Sequence, residues 1–315
     1  MPDPSLLARA FAPEPPGPPL PPGPPTNTWT RAGALPVLGR SAEAVLLADL
    51  WGARGHHLRA DGTTTAVPCR AVPSAGAAYP VQWHVLVPAG TDSALPPGRY
   101  ALGATGLLRR PGPVPAGSSV ALVVSVQPGR SFGRYRHRAW PLWVADAAYA
   151  VEAVRFVVPG AEVGSTDLVV VREALGVARA GATDWWLGQG LVPELALARV
   201  DLPGGWAVDP LRRAALGARR SPALARFAAG AGCPEAREPA DQSGQAWVRG
   251  ATRVRCWARP ALTDYAALWR AHREAARECY AASAAGLGVR PVSGFVLRAG
   301  GPPLLHALAM LEDVA

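Results

Sequence analysis

Hydrophobic and polar residues alternate along the chain with periods that predict both strands and helices. The segment VQWHVLV, residues 81–87, is β-branched with partial alternation and predicts a buried strand. SSVALVVSV at residues 118–126 predicts a second buried strand, and GRYALG at residues 98–103 predicts a short one. PLWVADAAYAVEAVRFVV, residues 141–158, has the pattern of a long amphipathic helix.

A similar succession of predicted helices and strands begins again near residue 210. The later elements are predicted as helices over residues 209–230, 261–288 and 302–315 and as a short strand within residues 247–260. In the earlier part, Ser41 can cap a helix that ends at Gly52 or Gly55. The shared outline indicates a faint internal repeat, with a first section over residues 36–205 and a second over 206–315.

Residues 1–35 are dominated by proline and predict a disordered, polyproline-like tail. Docking of this tail on a partner is the alternative. Between the two sections, Trp185 and Trp186 stand together, either in the core or as the wall of a pocket.

Composition narrows the function classes. The 315 residues are 49% hydrophobic, which is enough for a large core, yet no apolar run reaches membrane-spanning length. The N-terminal region lacks the basic and then apolar pattern of a signal peptide, so we expect a cytoplasmic protein without a membrane partner. The four cysteines lie far apart without a CxxC pair, which argues against a metal site and a disulfide framework.

The net charge of +9 comes from arginine and not from lysine, because the chain contains no lysine. We interpret the arginines as scattered and solvated, since no nucleic-acid-binding signature accompanies them. A basic surface nevertheless suits anionic ligands such as phosphates or acidic peptides. The absence of lysine excludes a lysine-dependent mechanism.

A compact segment of small residues precedes the first buried strand. Pro73, Ser74, Ala75 and Gly76 leave the backbone bare enough for a flat or anionic group to come close. A tight turn that only feeds the strand is the alternative interpretation.

These residues also carry a resemblance to a known family. PSAGAAYPVQWHVLV at residues 73–87 and SFGRYRHRAWPLWVADAAYAVEAVRF at residues 131–156 resemble the SagB-like branch of the nitroreductase superfamily. That branch contains FMN-dependent dehydrogenases, which oxidise thiazoline and oxazoline rings to thiazoles and oxazoles in ribosomally made peptides. The resemblance covers residues 38–200 well and 210–300 loosely. It implies an α+β, nitroreductase-like fold and FMN as the cofactor.

The resemblance assigns roles to particular residues. It implies that Pro73, Ser74, Ala75 and Gly76 lie against the flavin ring and that Arg219, Arg220 and Ser221 hold the phosphate. It also implies that the backbone of Gly286, Leu287 and Gly288 lines the flavin. An exposed arginine pair and an ordinary helix end are the alternatives for the last two groups.

The positions of these residues suggest an internal pseudo-dimer. Nitroreductases are usually dimers with FMN between the subunits, whereas here the Pro-Ser turn and the other elements fall in different sections of one chain. We therefore expect a composite FMN site and a degenerate second section, in a monomeric pseudo-dimer or a homodimer.

The catalytic residues of the family are replaced. At the positions of its Lys-Tyr pair this chain has Ser131 and Phe132, which leaves Tyr135 and His137 as candidates for proton transfer. The resemblance implies a heterocyclised precursor peptide as substrate, and cyclodehydratase or other biosynthetic proteins as partners. A nitroreductase-like enzyme using NAD(P)H, or a scaffold subunit without activity, are the alternative functions.

Overall fold

The computed structural model describes residues 4–21, 35–37, 41–58, 63–177, 194–258, 263–297 and 303–312. The α-helices in these residues are α1 (Pro4–Ala10), α2 (Ala42–Trp51), α3 (Phe132–Tyr135), α4 (Ala139–Val157), α5 (Leu168–Leu175), α6 (Pro210–Ala218), α7 (Leu224–Ala228), α8 (Arg237–Ser243) and α9 (Tyr265–Ala284). The strands are β1 (Leu35–Pro36), β2 (His56–Leu58), β3 (Thr64–Pro68), β4 (Val81–Val87), β5 (Gly98–Leu102), β6 (Leu107–Arg110), β7 (Ala121–Val126), β8 (Glu162–Ser165), β9 (Leu195–Asp201), β10 (Arg253–Ala258), β11 (Gly288–Val292) and β12 (Leu304–Leu311).

An antiparallel sheet forms the centre of the first section. Within the described residues it has seven strands in the order β1-β6-β5-β4-β7-β9-β8. Strands β4 and β7 pair from Val81 opposite Val126 to Leu86 opposite Ala121. Both strands are buried almost throughout, as expected for apolar runs in the middle of a sheet. The structure thus confirms the strands predicted over residues 81–87, 98–103 and 118–126.

Two long helices pack on each other and join the sections. Helices α4 and α9 meet at Tyr149 and Tyr280, whose ring centroids lie 6.1 Å apart, edge to face. The Tyr280 hydroxyl donates to the Tyr149 carbonyl oxygen at 2.7 Å. A single hydrophobic cluster runs from Leu7 to Met310 and contains both helices. The predicted long helices are therefore confirmed, and the two sections share one core.

Local signals explain most of the shorter elements. The Ser41 hydroxyl accepts a hydrogen bond from the Ala44 amide at 3.2 Å, and α2 ends at Gly52, as predicted. The helix predicted over residues 209–230 is broken into α6 and α7, because Pro222 stands between them. Trp185 and Trp186 lie outside the described residues.

The final helix predicted over residues 302–315 is wrong. Residues Leu304–Leu311 form β12, the central strand of a three-stranded antiparallel sheet between β10 and β11. Every residue of β12 is buried, so hydrophobic side chains stand on both faces and the alternation of a half-buried strand is absent, with His306 as its one polar residue. A short, largely apolar run does not distinguish a strand from a helix by its period.

The disordered tail predicted over residues 1–35 is wrong for residues 4–21. Residues 4–10 form helix α1, which buries Leu7 and Ala10, and Phe11 follows them into the core. The proline-rich residues then lie along α3, where the Leu20 amide donates to the Gly133 carbonyl oxygen at 2.9 Å. The many prolines that follow α1 favour a disordered segment, and they hid the short apolar pattern that forms this helix. Residues 22–34 are outside the described ranges.

Among the described residues, no helix is long and apolar enough to cross a membrane, and no cluster of histidine, cysteine and acidic side chains could hold a metal ion.

Candidate functional site

The turn before β4 has an unusual backbone. Gly76 has φ +56°, and two residues with side chains, Ala77 and Tyr79, also have positive φ values of +53° and +45°. Such values are uncommon outside glycine and cost energy, so the surrounding structure must hold the turn in place.

A buried carboxylate anchors this turn. Asp146, in the middle of α4, accepts a hydrogen bond from the Ser74 hydroxyl at 2.8 Å and from the Ala75 amide at 2.9 Å. The Ser74 oxygen in turn accepts from the Tyr79 amide at 2.9 Å. Arg130 donates to the Tyr79 carbonyl oxygen at 2.8 Å, which fixes the end of the turn.

Burial raises the pKa of Asp146 to about 7, and the hydrogen bonds from Ala75 and Ser74 oppose that rise only in part. A carboxyl group with such a pKa can accept or release a proton near neutral pH, which is what a general base requires. Asp146 is thus both an anchor of the turn and a candidate proton acceptor.

A cavity of about 220 Å³ lies between the turn, α4 and the second section; we call it the turn cavity. Its lining includes Pro73, Ser74, Ala75, Gly76, Asp146 and Tyr149 from the first section, and Ser221, Gln245, Trp247, Arg290, Ser293 and His306 from the second. The fold thus brings the bare turn and Ser221, far apart in the sequence, to one cavity.

The two arginines of that step point to backbone oxygens. The buried Arg219 guanidinium donates to the Ala71 carbonyl oxygen at 2.9 Å and to the Ser221 hydroxyl at 3.1 Å. Arg220 donates to the carbonyl oxygens of Gly217 and Arg219. Of the three residues predicted to hold phosphate, Ser221 is the one that lines the turn cavity. The structure assigns Arg219 a bracing role between the sections.

Arg290 supplies a guanidinium to the cavity lining. It donates to the Pro222 carbonyl oxygen at 2.8 Å and lies 5.5 Å from the centre of the Trp247 ring. The Gly286-Leu287-Gly288 segment is not among the described residues that line the cavity. Gly286, with φ +82°, follows the end of α9, and Gly288 begins β11. Along this stretch, the first residue in the cavity lining is Arg290.

Tyr135 and His137 lie in different surroundings. A Cβ atom on Gly76 would come within 2.1 Å of the Tyr135 hydroxyl oxygen, so Tyr135 packs directly over the bare turn. Tyr135 therefore occupies the space on the side of Gly76 where a Cβ atom would stand. His137 faces the N-terminal segment instead, where burial and the nearby Arg138 and Arg9 lower its pKa.

Sequence reasoning missed several polar residues of the cavity, among them Asp146, Tyr149, Arg290 and His306. The Tyr149 hydroxyl is 2.9 Å from His306 Nε2. His306 Nδ1 has no hydrogen-bond partner among the described residues, although the side chain is buried. Burial holds the pKa of His306 well below its ordinary value, with neighbouring His272 acting in the same direction. A signal for two of them was present in the sequence, since Asp146 and Tyr149 are polar residues three positions apart within a mostly apolar helix.

The chemistry of the cavity fits a flavin mononucleotide. Arg290 and the hydroxyls of Ser221 and Ser293 are suitable donors for a phosphate, and the buried His306 nitrogen leaves polar capacity unused. The volume of about 220 Å³ is below the roughly 300–1,000 Å³ of typical small-molecule pockets, so a ligand of this size extends beyond the cavity.

Comparison with known proteins shows the fold. No protein-family model and no curated protein matches the chain. Among solved structures, it is similar to a protein of Anabaena variabilis ATCC 29413 described as a "putative nitroreductase". The TM-score is 0.58, the likeness covers 85% of this chain and 87% of that chain, and the sequences are 16% identical. The chain therefore has an α+β, nitroreductase-like fold, as the sequence predicted.

Proposed function

We propose that this protein is an FMN-dependent oxidoreductase and that the turn cavity is its flavin site. The observation that carries the proposal is the convergence of the strained turn with Ser221 and Arg290 on one cavity, in a nitroreductase-like fold. Strained backbone held by a buried carboxylate is typical of functional sites. The packing of α4 on α9 supports a pseudo-dimer within one chain, with one composite site.

Each lining residue has a part in this proposal. Arg290 and Ser221 would hold the phosphate, and the Ser74–Gly76 backbone would face the ring system. Asp146 keeps the turn in place and can take up a proton at neutral pH. The Tyr149–His306 pair offers a neutral hydrogen-bonding group at the same cavity.

The finer proposal is oxidation of thiazoline or oxazoline rings in a ribosomally made peptide. Such an oxidation removes a hydride and a proton from the ring, and bound FMN supplies the hydride acceptor. The proton needs an acceptor of this chain, and we assign that role to the Asp146 carboxylate rather than to His137, which faces the N-terminal segment. The sequence motif at residues 73–80 supports this choice of reaction. A heterocyclised precursor peptide and its other modifying proteins are the partners implied.

The experiment that tests the flavin site is a titration of the purified protein with FMN, followed by flavin fluorescence and absorbance. We expect one FMN per chain. Replacing Arg290 by Gln should weaken binding about tenfold, which corresponds to about 1.4 kcal/mol. Arg172→Gln, which changes an exposed arginine on α5, is the matched control.

Two results would overturn the proposal: no uptake of FMN, or one FMN for every two chains. If FMN binds, anaerobic mixing separates the possible reactions. Rapid bleaching by NAD(P)H without a peptide favours a reductase, whereas bleaching that requires an azoline peptide favours the dehydrogenase.

A further inference from the structure

A second cavity lies apart from the turn cavity, and the two share no lining residue among those the structure describes. Its volume is about 360 Å³, within the roughly 300–1,000 Å³ of typical ligand pockets. We call it the arginine cleft; it is lined by Glu152, Arg155, Phe156, Arg212, Arg277 and Tyr280. The Tyr280 ring contacts Tyr149, which lines the turn cavity.

A buried carboxylate holds several guanidiniums at the cleft. Glu152 is 2% exposed and accepts from Arg155 Nη1 at 2.7 Å and from Arg273 Nε at 2.6 Å. Arg277 Nη1 is 3.9 Å from the same carboxylate. A buried carboxylate needs such partners, but here one negative charge faces three positive ones.

A fourth guanidinium adds to this excess. Arg212, on α6, has its guanidinium carbon 5.8 Å from the centre of the Phe156 ring, and its Nε is 3.5 Å from an Asp209 oxygen. The side chains of Arg212 and Arg277 are 50% and 51% exposed, so both can reach a ligand. Arg155, Arg212 and Arg277 thus outnumber Glu152, the carboxylate in the cleft lining, and an anionic ligand would relieve their repulsion.

We propose that the arginine cleft binds an acidic peptide segment. The two most accessible guanidiniums come from different helices, α6 and α9, and aromatic side chains, Phe156 and Tyr280, lie in the same lining. Carboxylates spaced along a peptide can each pair with one of these two separate guanidiniums. An apolar side chain between the carboxylates can pack on Phe156. A compact inorganic anion has neither spaced charges to pair with both guanidiniums nor an apolar part to pack on the aromatic rings. Binding here is separate from flavin binding, so each proposal can fail without the other.

The test is fluorescence anisotropy of the full chain with a labelled peptide of alternating Glu and Ala, at low salt. We expect the matched peptide of alternating Gln and Ala to bind at least about tenfold more weakly, and added salt to weaken binding of the acidic peptide. Arg277→Gln and Arg212→Gln should each weaken binding of the acidic peptide by about fivefold to tenfold. Both side chains are half exposed, and unchanged thermal unfolding of each variant confirms that it folds.

Arg172→Gln is the control, because Arg172 is an exposed arginine on α5 and does not line the cleft. Its affinity for the acidic peptide should equal that of the unchanged protein. Equal losses in all three variants would show diffuse attraction to a basic surface and would overturn the proposal. It is also overturned if the acidic peptide does not bind, or if inorganic phosphate at equal concentration displaces it.

Discussion

Two buried carboxyl groups on one helix are stabilised in different ways. Asp146 and Glu152, both on α4, are 4% and 2% exposed. Among the described residues, Asp146 receives its hydrogen bonds from the neutral Ser74 and Ala75 groups, and burial raises its pKa to about 7. Glu152 forms salt bridges with arginines instead. Because the two carboxyl groups are buried to a similar degree, the groups beside each of them decide its chemistry. At the turn cavity Asp146 can exchange a proton, whereas at the arginine cleft the arginines around Glu152 present positive charge.

The strongest test of this contrast removes the charge of Glu152. Glu152→Gln removes the buried carboxylate to which Arg155 and Arg273 donate, and it leaves partly exposed guanidiniums close together. Because two charge-assisted hydrogen bonds to a buried acceptor are lost, we expect a loss of about 3 kcal/mol in the free energy of unfolding, measured by urea denaturation. Glu173→Gln, at the exposed Arg172–Glu173 pair, should change it by less than about 1 kcal/mol. Similar losses in both variants would contradict the difference described above.

A second test uses pH to examine Asp146. The folded protein retains a proton on this carboxyl up to about pH 7, whereas the unfolded chain releases it near the ordinary value of 3.8. The stabilisation is therefore complete below the unfolded pKa and is lost as pH rises through the folded pKa. Between pH 5 and 7 we expect this group to lower the free energy of unfolding by about 2–3 kcal/mol.

Asp146→Asn should remove that dependence, and the difference in unfolding free energy between the variant and the unchanged protein should vary with pH. Asp167→Asn serves as the control, because hydrogen bonds from Val170 and Val169 lower the pKa of that exposed carboxyl. Its stabilising effect is lost as pH falls, which is the opposite direction. A constant difference for Asp146→Asn from pH 5 to 8 would show that the carboxyl keeps no proton in the folded state.

A smaller effect tests the turn that Asp146 holds. Gly76→Ala places a Cβ atom 2.1 Å from the Tyr135 hydroxyl oxygen at a positive φ, and we expect a loss of about 1–2 kcal/mol. Gly90→Ala is the matched control, since Gly90 has φ +75° and open space around it. Adding Tyr135→Phe should restore part of the stability of Gly76→Ala but none of that of Gly90→Ala. Equal losses without rescue would mean that backbone conformation alone requires the glycine.

The sequence predicted the parts of the fold whose pattern is local. Strand β4 and the helices α4 and α9 have the period and length of their class, and Ser41 caps α2 as its position suggests. Strand β12 was assigned wrongly because it is buried on both faces, a property set by its neighbours β10 and β11. Helix α1 was missed because its two buried residues, Leu7 and Ala10, are a weaker signal than the prolines that follow the helix.

The candidate site shows the same limit. The motif at residues 73–80 located the turn, but its anchor Asp146 and the lining residues Arg290 and His306 depend on contacts between distant segments. A resemblance also directed attention to Arg219 as a phosphate ligand, whereas the structure uses this guanidinium to connect Ala71 and Ser221. Periodicity and motifs do not show which polar groups face a cavity.

The docking of the N-terminal segment has a consequence for how the protein folds. The Leu297 amide donates to the Phe11 carbonyl oxygen at 2.7 Å, and Phe11 and His272 line the same small cavity. These contacts join positions near residue 10 to positions near residue 290, and contacts of such long sequence separation form slowly. During synthesis, Leu297 leaves the ribosome long after α1. The contact between Phe11 and Leu297 therefore forms only after most of the second section has been made.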